Sequence, residues 1–472
     1  MKFVNREAEM GTLREAEALS KSRLYTVSIS GLRRIGKTRL LTEFLKGDGL
    51  YFFVNAKKSA ADLLEEYAGI LKGKGVLSDL ENLQNWEEFF RVLFERFSGI
   101  VVFDEFQNFE FIDTAIAGML QKNIDLHESR TGLLIVFSGS LIGLLKKMFT
   151  YKKEPLYGRL KRRLKLQPLF LADVRKMCME VRITDLEEII QLYGILGGFP
   201  LYYVKIEDEN LVGKSFMEIM EAFFLKEGLL EEEVQAILSM EFGKRSGIYY
   251  SILEAIANGN RRLSEIAGYV RKEPTKITRQ LNELKSYFEL VDYEEDAITG
   301  KQLYEIKHPL VNFWFRFFNR RLSDYKRRDP ELIALIKRDL NLYAGRKFEL
   351  ACKEVLPRFQ LPIQPNKIGK HWGKARGLPK GENEYEIDLV CLDENRKEAF
   401  FVECKWSDLK EKEAWKILEE LREKSKFVDW KRKKEYFGLV GKKILGKETL
   451  RKEGFFVWDL EDIGEAFDSG SF

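Results

Sequence analysis

The chain has 472 residues, which at about 100–200 residues per domain is enough for several units with cores of their own. Hydrophobic residues make up 45% and charged residues 33%, a balance that excludes an intrinsically disordered chain. Lys and Arg number 79 against 75 Asp and Glu, so the net charge of +4 excludes a uniformly basic nucleic-acid coat, and any nucleic-acid contact must come from a local patch.

The opening residues MKFVNREAEM carry charges where a signal peptide would place its apolar segment, so a cytoplasmic location is expected. From Leu24 to about Gln167, the runs LYTVSIS, YFFVN, GIVVFDE and GLLIVFSGS alternate with amphipathic segments such as KTRLLTEFLK and NWEEFFRVLFERF. That alternation predicts a parallel sheet flanked by helices over 1–170. The longest uncharged apolar run, Gly132 to Leu145, is shorter than the ~20 residues of a membrane span and is broken by Ser138, Gly139 and Ser140, so no membrane partner is expected. Over 171–243 the strand signals vanish and helical spacing predicts a lid-like bundle, which the phrase GKRSG near Gly243 ends.

Over 244–325 the helical patterns SILEAIANG, LSEIAGYVR and PTKITRQLNELKSYF precede LVDYEEDAITGKQLYEI, a hairpin turning at Thr299-Gly300. In the third pattern Ile277, Leu281, Leu284 and Phe288 form one apolar stripe. Three helices and a hairpin predict a winged helix-turn-helix. A basic, aromatic stretch, FWFRFFNRRLSDYKRR, leads into a linker at 326–340 and a C-terminal unit at 341–472, where one helix precedes strands at YEIDLVCL and EAFFVECKW. The fold class is thus α/β and multidomain. Cys178, Cys352, Cys391 and Cys404 form no CxxC pair, and only His127, His308 and His371 could assist them, so buried reduced thiols are expected rather than a zinc site or disulfides.

Gly31-Leu32-Arg33-Arg34-Ile35-Gly36-Lys37-Thr38 fits G-x-x-x-x-G-K-[ST] and lies between a predicted strand and a predicted helix. In such a phosphate loop the backbone N–H groups wrap the phosphates, the lysine reaches the β/γ-phosphates and the hydroxyl ligates Mg²⁺. Gly31, Arg33, Arg34, Gly36, Lys37, Thr38 and the adjoining Arg39 are assigned to ATP on that basis. IVVFDE then places Asp104 and Glu105 at the C-terminal end of a strand, where Asp104 would hold the Mg²⁺ shell and Glu105 would orient or deprotonate the attacking water. Ser138 and Ser140 read either as γ-phosphate sensors or as a polar turn around Gly139. Arg159 reads as a charge stabiliser or, more simply, as a solvated arginine.

FVNREAEM, GLRRIGKTRLL, VVFDEFQNF, FSGSLIGLL, PLYGR and Gly197-Gly198-Phe199-Pro200 together cover about residues 1–205 and resemble the archaeal P-loop ATPases of the AAA+/STAND type. The resemblance implies ATP hydrolysis with Mg²⁺, nucleotide-dependent homo-oligomers, Pro200 beside the adenine and Arg6 near the nucleotide.

A second constellation comprises Glu349 on a helix, Asp388 on a strand and Glu403-Cys404-Lys405 on the next strand. Residues two apart on a strand share a face, so Glu386 with Asp388, and Glu403 with Lys405, can form one carboxylate cluster with an amine. Such hard oxygen ligands suit Mg²⁺ or Mn²⁺. A solvated strand face is the other reading, and the apolar flanks IDLVCL and AFFV count against it. The pattern resembles the PD-(D/E)xK nuclease superfamily over about residues 341–465. That resemblance implies metal binding by Asp388 and Glu403, a catalytic Lys405 and completion of the site by Glu349, with Ile387-Asp388 in place of Pro-Asp.

Lys272, Lys276, Arg279 and Lys285 offer DNA contacts in the winged helix, although Glu273, Glu283 and Glu289 dilute the field and a packing module is the alternative. Phe313, Trp314, Phe315, Phe317 and Phe318 could stack bases but read better as helix core. The whole chain reads as an ATP-hydrolysing, DNA-acting ATPase fused to a nuclease-like domain. Its rival is a STAND-type regulatory switch whose C-terminal domain binds nucleic acid or protein without cleaving.

Overall fold

The computed structural model describes residues 1–226, 229–242, 246–375, 379 and 383–468. Its first unit contains α1 (Glu7–Ser20), β1 (Tyr25–Ser30), α2 (Lys37–Leu45), β2 (Leu50–Phe53), α3 (Ala60–Gly73), α4 (Trp86–Arg96), β3 (Gly99–Asp104), α5 (Phe109–Ile112), α6 (Ala115–Leu126), β4 (Leu133–Gly139), α7 (Ile142–Thr150) and β5 (Arg162–Lys165). The strands pair in parallel in the order β2-β3-β4-β1-β5. Every residue of β4 is buried, which explains its unbroken apolar run, since helices cover both faces of the sheet. One face packs on aromatic side chains, among them Phe52, Phe89, Phe103, Phe106 and Phe137. The other packs on Val27, Ile29, Leu40 and Val136. This order sets the C-terminal ends of β1, β3 and β4 side by side, the edge where α/β sheets meet ligands.

The chain continues through α8 (Leu171–Glu180), α9 (Leu186–Leu196), α10 (Pro200–Asp208), α11 (Phe216–Met220) and α12 (Leu229–Phe242), then α13 (Ser246–Ala257), α14 (Leu263–Tyr269) and α15 (Pro274–Ser286). The expected break at Gly243 lies outside the described residues. β6 (Val291–Glu295) and β7 (Gln302–Ile306) form an antiparallel hairpin, and Gly300 accommodates the turn at φ 68°. Ile277, Leu281 and Leu284 are buried as the stripe requires. The aromatic run forms α16 (Pro309–Phe317), in which Phe313, Trp314 and Phe315 are at most 1% exposed and cannot stack on a base. α17 (Leu322–Lys326) follows.

The expected linker is instead the start of a 26-residue helix, α18 (Pro330–Val355). Asp329 caps it by accepting from the Glu331 N–H at 2.9 Å, Pro330 occupies its first turn, and Leu332, Ile336, Leu340, Tyr343 and Phe348 are buried along one side. Beyond it come β8 (Lys367–Lys374), β9 (Glu384–Asp393), β10 (Glu398–Leu409), α19 (Glu411–Ser425), β11 (Lys434–Ile444), α20 (Lys447–Lys452), β12 (Phe456–Trp458) and α21 (Leu460–Asp468). Their sheet has the order β12-β11-β10-β9-β8, and α19 makes the crossover between the parallel β10 and β11. A single core runs from α8–α10 through α13–α18 onto Leu389, Val402, Cys404 and Trp406 of the C-terminal sheet. The units past residue 170 therefore share a core on one face of the C-terminal sheet, while its other face has a core of its own around Ile387, Phe401, Leu418 and Leu439.

All four cysteines are buried and free. Among the described residues no single helix is long and apolar enough to cross a membrane. Gly198 meets the backbone of Leu169, whose N–H donates to the Gly198 carbonyl at 2.8 Å, and a Cβ there would collide with main chain. Gly198→Ala is expected to cost roughly 3 kcal/mol, the upper end of overpacking penalties, read as a lower urea midpoint. Gly69→Ala, in open space on α3, is expected to stabilise by up to about 1 kcal/mol.

Candidate functional site

The phosphate loop joins β1 to α2, with Arg34 (φ 66°) and Gly36 (φ 94°) in left-handed conformations that turn it back on itself. The Lys37 ammonium folds over this loop and donates to the carbonyls of Gly31 at 2.8 Å and Leu32 at 3.1 Å. Thr38 donates to Asp104 Oδ2 at 2.8 Å, so the hydroxyl and the acid expected to share Mg²⁺ already touch. Tyr51 donates to the same oxygen at 2.7 Å, and its phenol pKa is raised by burial and by the Asp104 charge. Glu105, at φ 55°, accepts from Gln107 Nε2 at 2.5 Å and from the Ser140 hydroxyl at 2.7 Å.

Of the two serines, Ser140 therefore belongs to the site, whereas Ser138 is fully buried in the sheet. Arg34 forms a two-pronged pair with Glu233 of α12, at 2.8 and 3.0 Å, and ties the loop to the helical unit. The Arg33 Nε is buried without a hydrogen-bond partner among the described residues. Arg39 pairs with Glu43 on an exposed face at the rim. Pro200 starts α10 directly opposite Gly36. Arg6 is buried, pairs with Glu9 and donates to the carbonyls of Ile35 and Gln167, so it braces the loop while also lining the cavity that the loop borders. Arg159 pairs with Asp125 and does not line the cavity.

These groups surround a cavity of about 460 Å³ lined by Arg33, Lys37, Thr38, Glu105, Ser140 and Pro200, a size that fits a small-molecule cofactor. Tyr51, Gln107 and Glu233 escaped sequence reasoning. Only Gln107 carried a signal, its position two residues after Glu105.

In the C-terminal unit β9 and β10 pair as far as Leu389 and Val402 and then part. In the gap, Asp388 Oδ2 accepts the Cys404 N–H at 2.9 Å, so a side chain replaces the ladder bond. On the other side of β9, Asp388 and Leu389 stand opposite the single residue Lys370 of β8, a bulge that turns Asp388 toward α18. Lys405 lies 2.8 Å from Glu403 and 3.7 Å from Asp388, while Lys424 of α19 holds Glu403 at 2.6 Å.

The expected trio of Asp388, Glu403 and Lys405 is thus brought together. Glu349 reaches the cluster through Lys370, which it accepts from at 2.6 Å and which also contacts Glu386. Burial, followed by the charges of Glu403 and Glu349, pushes the Asp388 pKa up to about 8. Burial also acts to raise that of Glu403, but Lys405 and Lys424 carry it below the usual value. Lys370 and Lys424 were not found from sequence. β8 has no clear apolar alternation, because Gly369 and Gly373 interrupt it.

Lys276 and Arg279 project from α15 with 66% and 75% of their side chains exposed, Lys276 paired to Glu273 just before the helix and Arg279 to Glu283 on it. Lys272 lies just before that helix.

The family profile described as an ATPase domain predominantly from Archaea matches residues 3–206. A second, described as archaea bacterial proteins of unknown function, matches residues 314–417. An uncharacterized protein of Methanocaldococcus jannaschii, MJECL04, is 30% identical over 470 residues, which cover 98% of this chain and 100% of that one. Among solved structures, the Walker-type ATPase PABY2304 of Pyrococcus abyssi is 25% identical with a TM-score of 0.54, covering 66% of this chain and 96% of that one. The ORC2 protein of Aeropyrum pernix, solved as ADPNP–ADP complexes, is 15% identical with a TM-score of 0.45, covering 71% of this chain and 96% of that one. With its phosphate loop, acidic strand end and nucleotide-sized cavity in place, the chain belongs to one family with the M. jannaschii protein, and its N-terminal unit is an ATP-binding P-loop ATPase domain of the predominantly archaeal type.

Proposed function

We propose that the protein is an ATP-hydrolysing, DNA-acting ATPase whose C-terminal unit is a metal-dependent nuclease of the restriction-endonuclease-like, PD-(D/E)xK type. The observation that carries the nuclease half is the convergence of Asp388, Glu403 and Lys405 where β9 and β10 separate. The Arg33 Nε, buried within the phosphate loop without a hydrogen-bond partner among the described residues, supports an anionic ligand in the N-terminal cavity. Lys37 would leave the Gly31 and Leu32 carbonyls for the β/γ-phosphates, and Thr38 with Asp104 would hold Mg²⁺. Glu105, steadied by Ser140 and Gln107, would hold the attacking water and take its proton. When bound, Mg²⁺ supplies neutralisation of developing phosphate charge.

At the C-terminal centre the donor set is all carboxylate oxygen, and burial together with the Glu403 and Glu349 charges keeps Asp388 reluctant to ionise, a penalty that a divalent cation offsets. Asp388, Glu403 and Glu349 would hold Mg²⁺ or Mn²⁺, leaving Lys405 to the water or the phosphate. The three helices and hairpin support a winged helix-turn-helix, in which Lys272, Lys276 and Arg279 exchange helix carboxylates for DNA phosphates. A cytoplasmic location and nucleotide-dependent self-association belong to the same reading.

One observation favours a regulatory switch that does not cleave: the Lys370 ammonium already neutralises Glu349 and Glu386. A screen of single-stranded, duplex and branched DNA with Mg²⁺ or Mn²⁺, with and without ATP, separates the two. Cation-dependent cleavage of one substrate class that changes with ATP is expected. Nucleotide-dependent oligomerisation without cleavage would install the switch instead.

A further inference from the structure

Lys370 is the single residue of β8 facing the Asp388–Leu389 bulge. Its side chain, 11% exposed, enters the space between Glu349, Glu386 and Asp388, whose oxygens lie within 4.8 Å of one another. The ammonium is 2.6 Å from Glu349, contacts Glu386 and is 3.9 Å from Asp388. It sits where Glu349 and Asp388, two of the proposed cation ligands, would converge on a cation with Glu386 beside them, and two positive centres cannot share that space at carboxylate contact distance.

The backbone of Lys370 is fixed from outside its own sheet. The tip of the β6–β7 hairpin lies along β8, with Asp296 bridged to Lys370 and the Ala297 N–H donating to the Lys370 carbonyl at 2.8 Å. Asp296 is completely buried. It accepts from the Ile298 and Thr299 N–H groups of its own turn, from the Trp372 N–H at 2.8 Å, and pairs with His371 Nδ1 at 2.9 Å. His371 in turn reaches the Tyr385 hydroxyl of β9 at 3.0 Å. The hairpin thus grips Lys370 and the two residues after it, an arrangement far more elaborate than a solvated turn needs.

We propose that Lys370 is a built-in counter-cation that closes the carboxylate centre, and that the hairpin tip at Asp296–Ala297 holds it there, so that a divalent cation enters only as the lysine leaves. The inference rests on reading the centre as a cation site. It makes the hairpin of the helical unit a control on the C-terminal unit: whatever lifts the tip from β8 releases the lysine. The position of the ammonium is then a property of two domains together rather than of the sheet alone.

Calorimetric Mn²⁺ titration of the full-length chain tests this without any cleavage assay. Lys370→Met keeps the length of the side chain without its charge and is expected to bind Mn²⁺ at least tenfold more tightly than the unaltered protein. Adding Asp388→Asn to Lys370→Met should abolish that gain. Asp296→Asn leaves every cluster carboxylate in place and should shift affinity in the same direction as Lys370→Met. If it melts well below the unaltered protein, Ala297→Pro, which removes the N–H that reaches Lys370, takes its place. Equal Mn²⁺ affinity with and without the Lys370 charge overturns the gate while leaving the cation site standing. No binding by either protein removes the cation site itself, and a gain in Lys370→Met unmatched by either hairpin variant removes the role of the tip.

Discussion

Lys37→Ala is expected to lose nucleotide affinity and turnover together, whereas Glu105→Gln is expected to keep affinity and lose turnover. The Lys37 ammonium lies across the phosphate loop, and its bonds to the Gly31 and Leu32 carbonyls show how easily it reaches the loop's own oxygens. Each charge-assisted hydrogen bond to a phosphate is worth about 1.5–3 kcal/mol, so Lys37→Ala should weaken ATP binding by roughly 10- to 100-fold. Glu105 stands beyond the loop, tethered by Gln107 and Ser140, where it can touch a water but makes no bond to the loop. Glutamine preserves those tethers but cannot take a proton, so turnover should fall by about 10²–10⁴ while the ground state is undisturbed. Titration with a fluorescent ATP analogue, alongside single-turnover hydrolysis, separates the two effects. Near-normal turnover in both variants would remove the assigned roles.

The features legible in the sequence are those whose chemistry is local. Buried parallel strands announce themselves as apolar runs, and the phosphate loop, Asp104-Glu105 and Glu403-Cys404-Lys405 each fit within a few consecutive residues. The features that escaped arrive from afar. Tyr51 meets Asp104 only because β2 lies beside β3, and Glu233 meets Arg34 across 199 residues. β8 hides because Gly369 and Gly373 erase its apolar face, and with it went Lys370, the nearest partner of Glu349. The start of α18 is hidden for a different reason. Arg327, Arg328 and Asp329 look like solvated chain, yet Asp329 is the cap of α18, and the apolar positions from Leu332 onward bind that helix to the shared core.

At the C-terminal centre, Asp388→Asn and Lys405→Ala are expected to fail for different reasons. Asp388 supplies one of the buried carboxylates, and hard cations bind by carboxylate charge, so Asp388→Asn should weaken Mg²⁺ or Mn²⁺ binding and cleavage together. Lys405→Ala leaves the oxygens in place, so metal should still bind while cleavage drops by at least about 10², the scale of losing one preorganised charge in the transition state. Burial and the Glu403 and Glu349 charges favour the neutral form of Asp388 in the metal-free fold, and asparagine resembles that form, so the fold is expected to tolerate Asp388→Asn. The linkage has a definite sign. Unfolded, the carboxyl ionises near pH 3.9, so between about pH 4 and pH 8 the folded chain binds the extra proton, and stability falls as pH rises through that window. Asp388→Asn should lose that part of the slope and melt no lower than the unaltered protein at pH 8. Calorimetric metal titration, plasmid nicking and melting curves at pH 5 and 8 therefore read three separate quantities from one pair of variants. Cleavage that persists in both assigns the activity to another site or a contaminant, and leaves Asp388, Glu403 and Lys405 as a buried ion-pair network with a structural role alone.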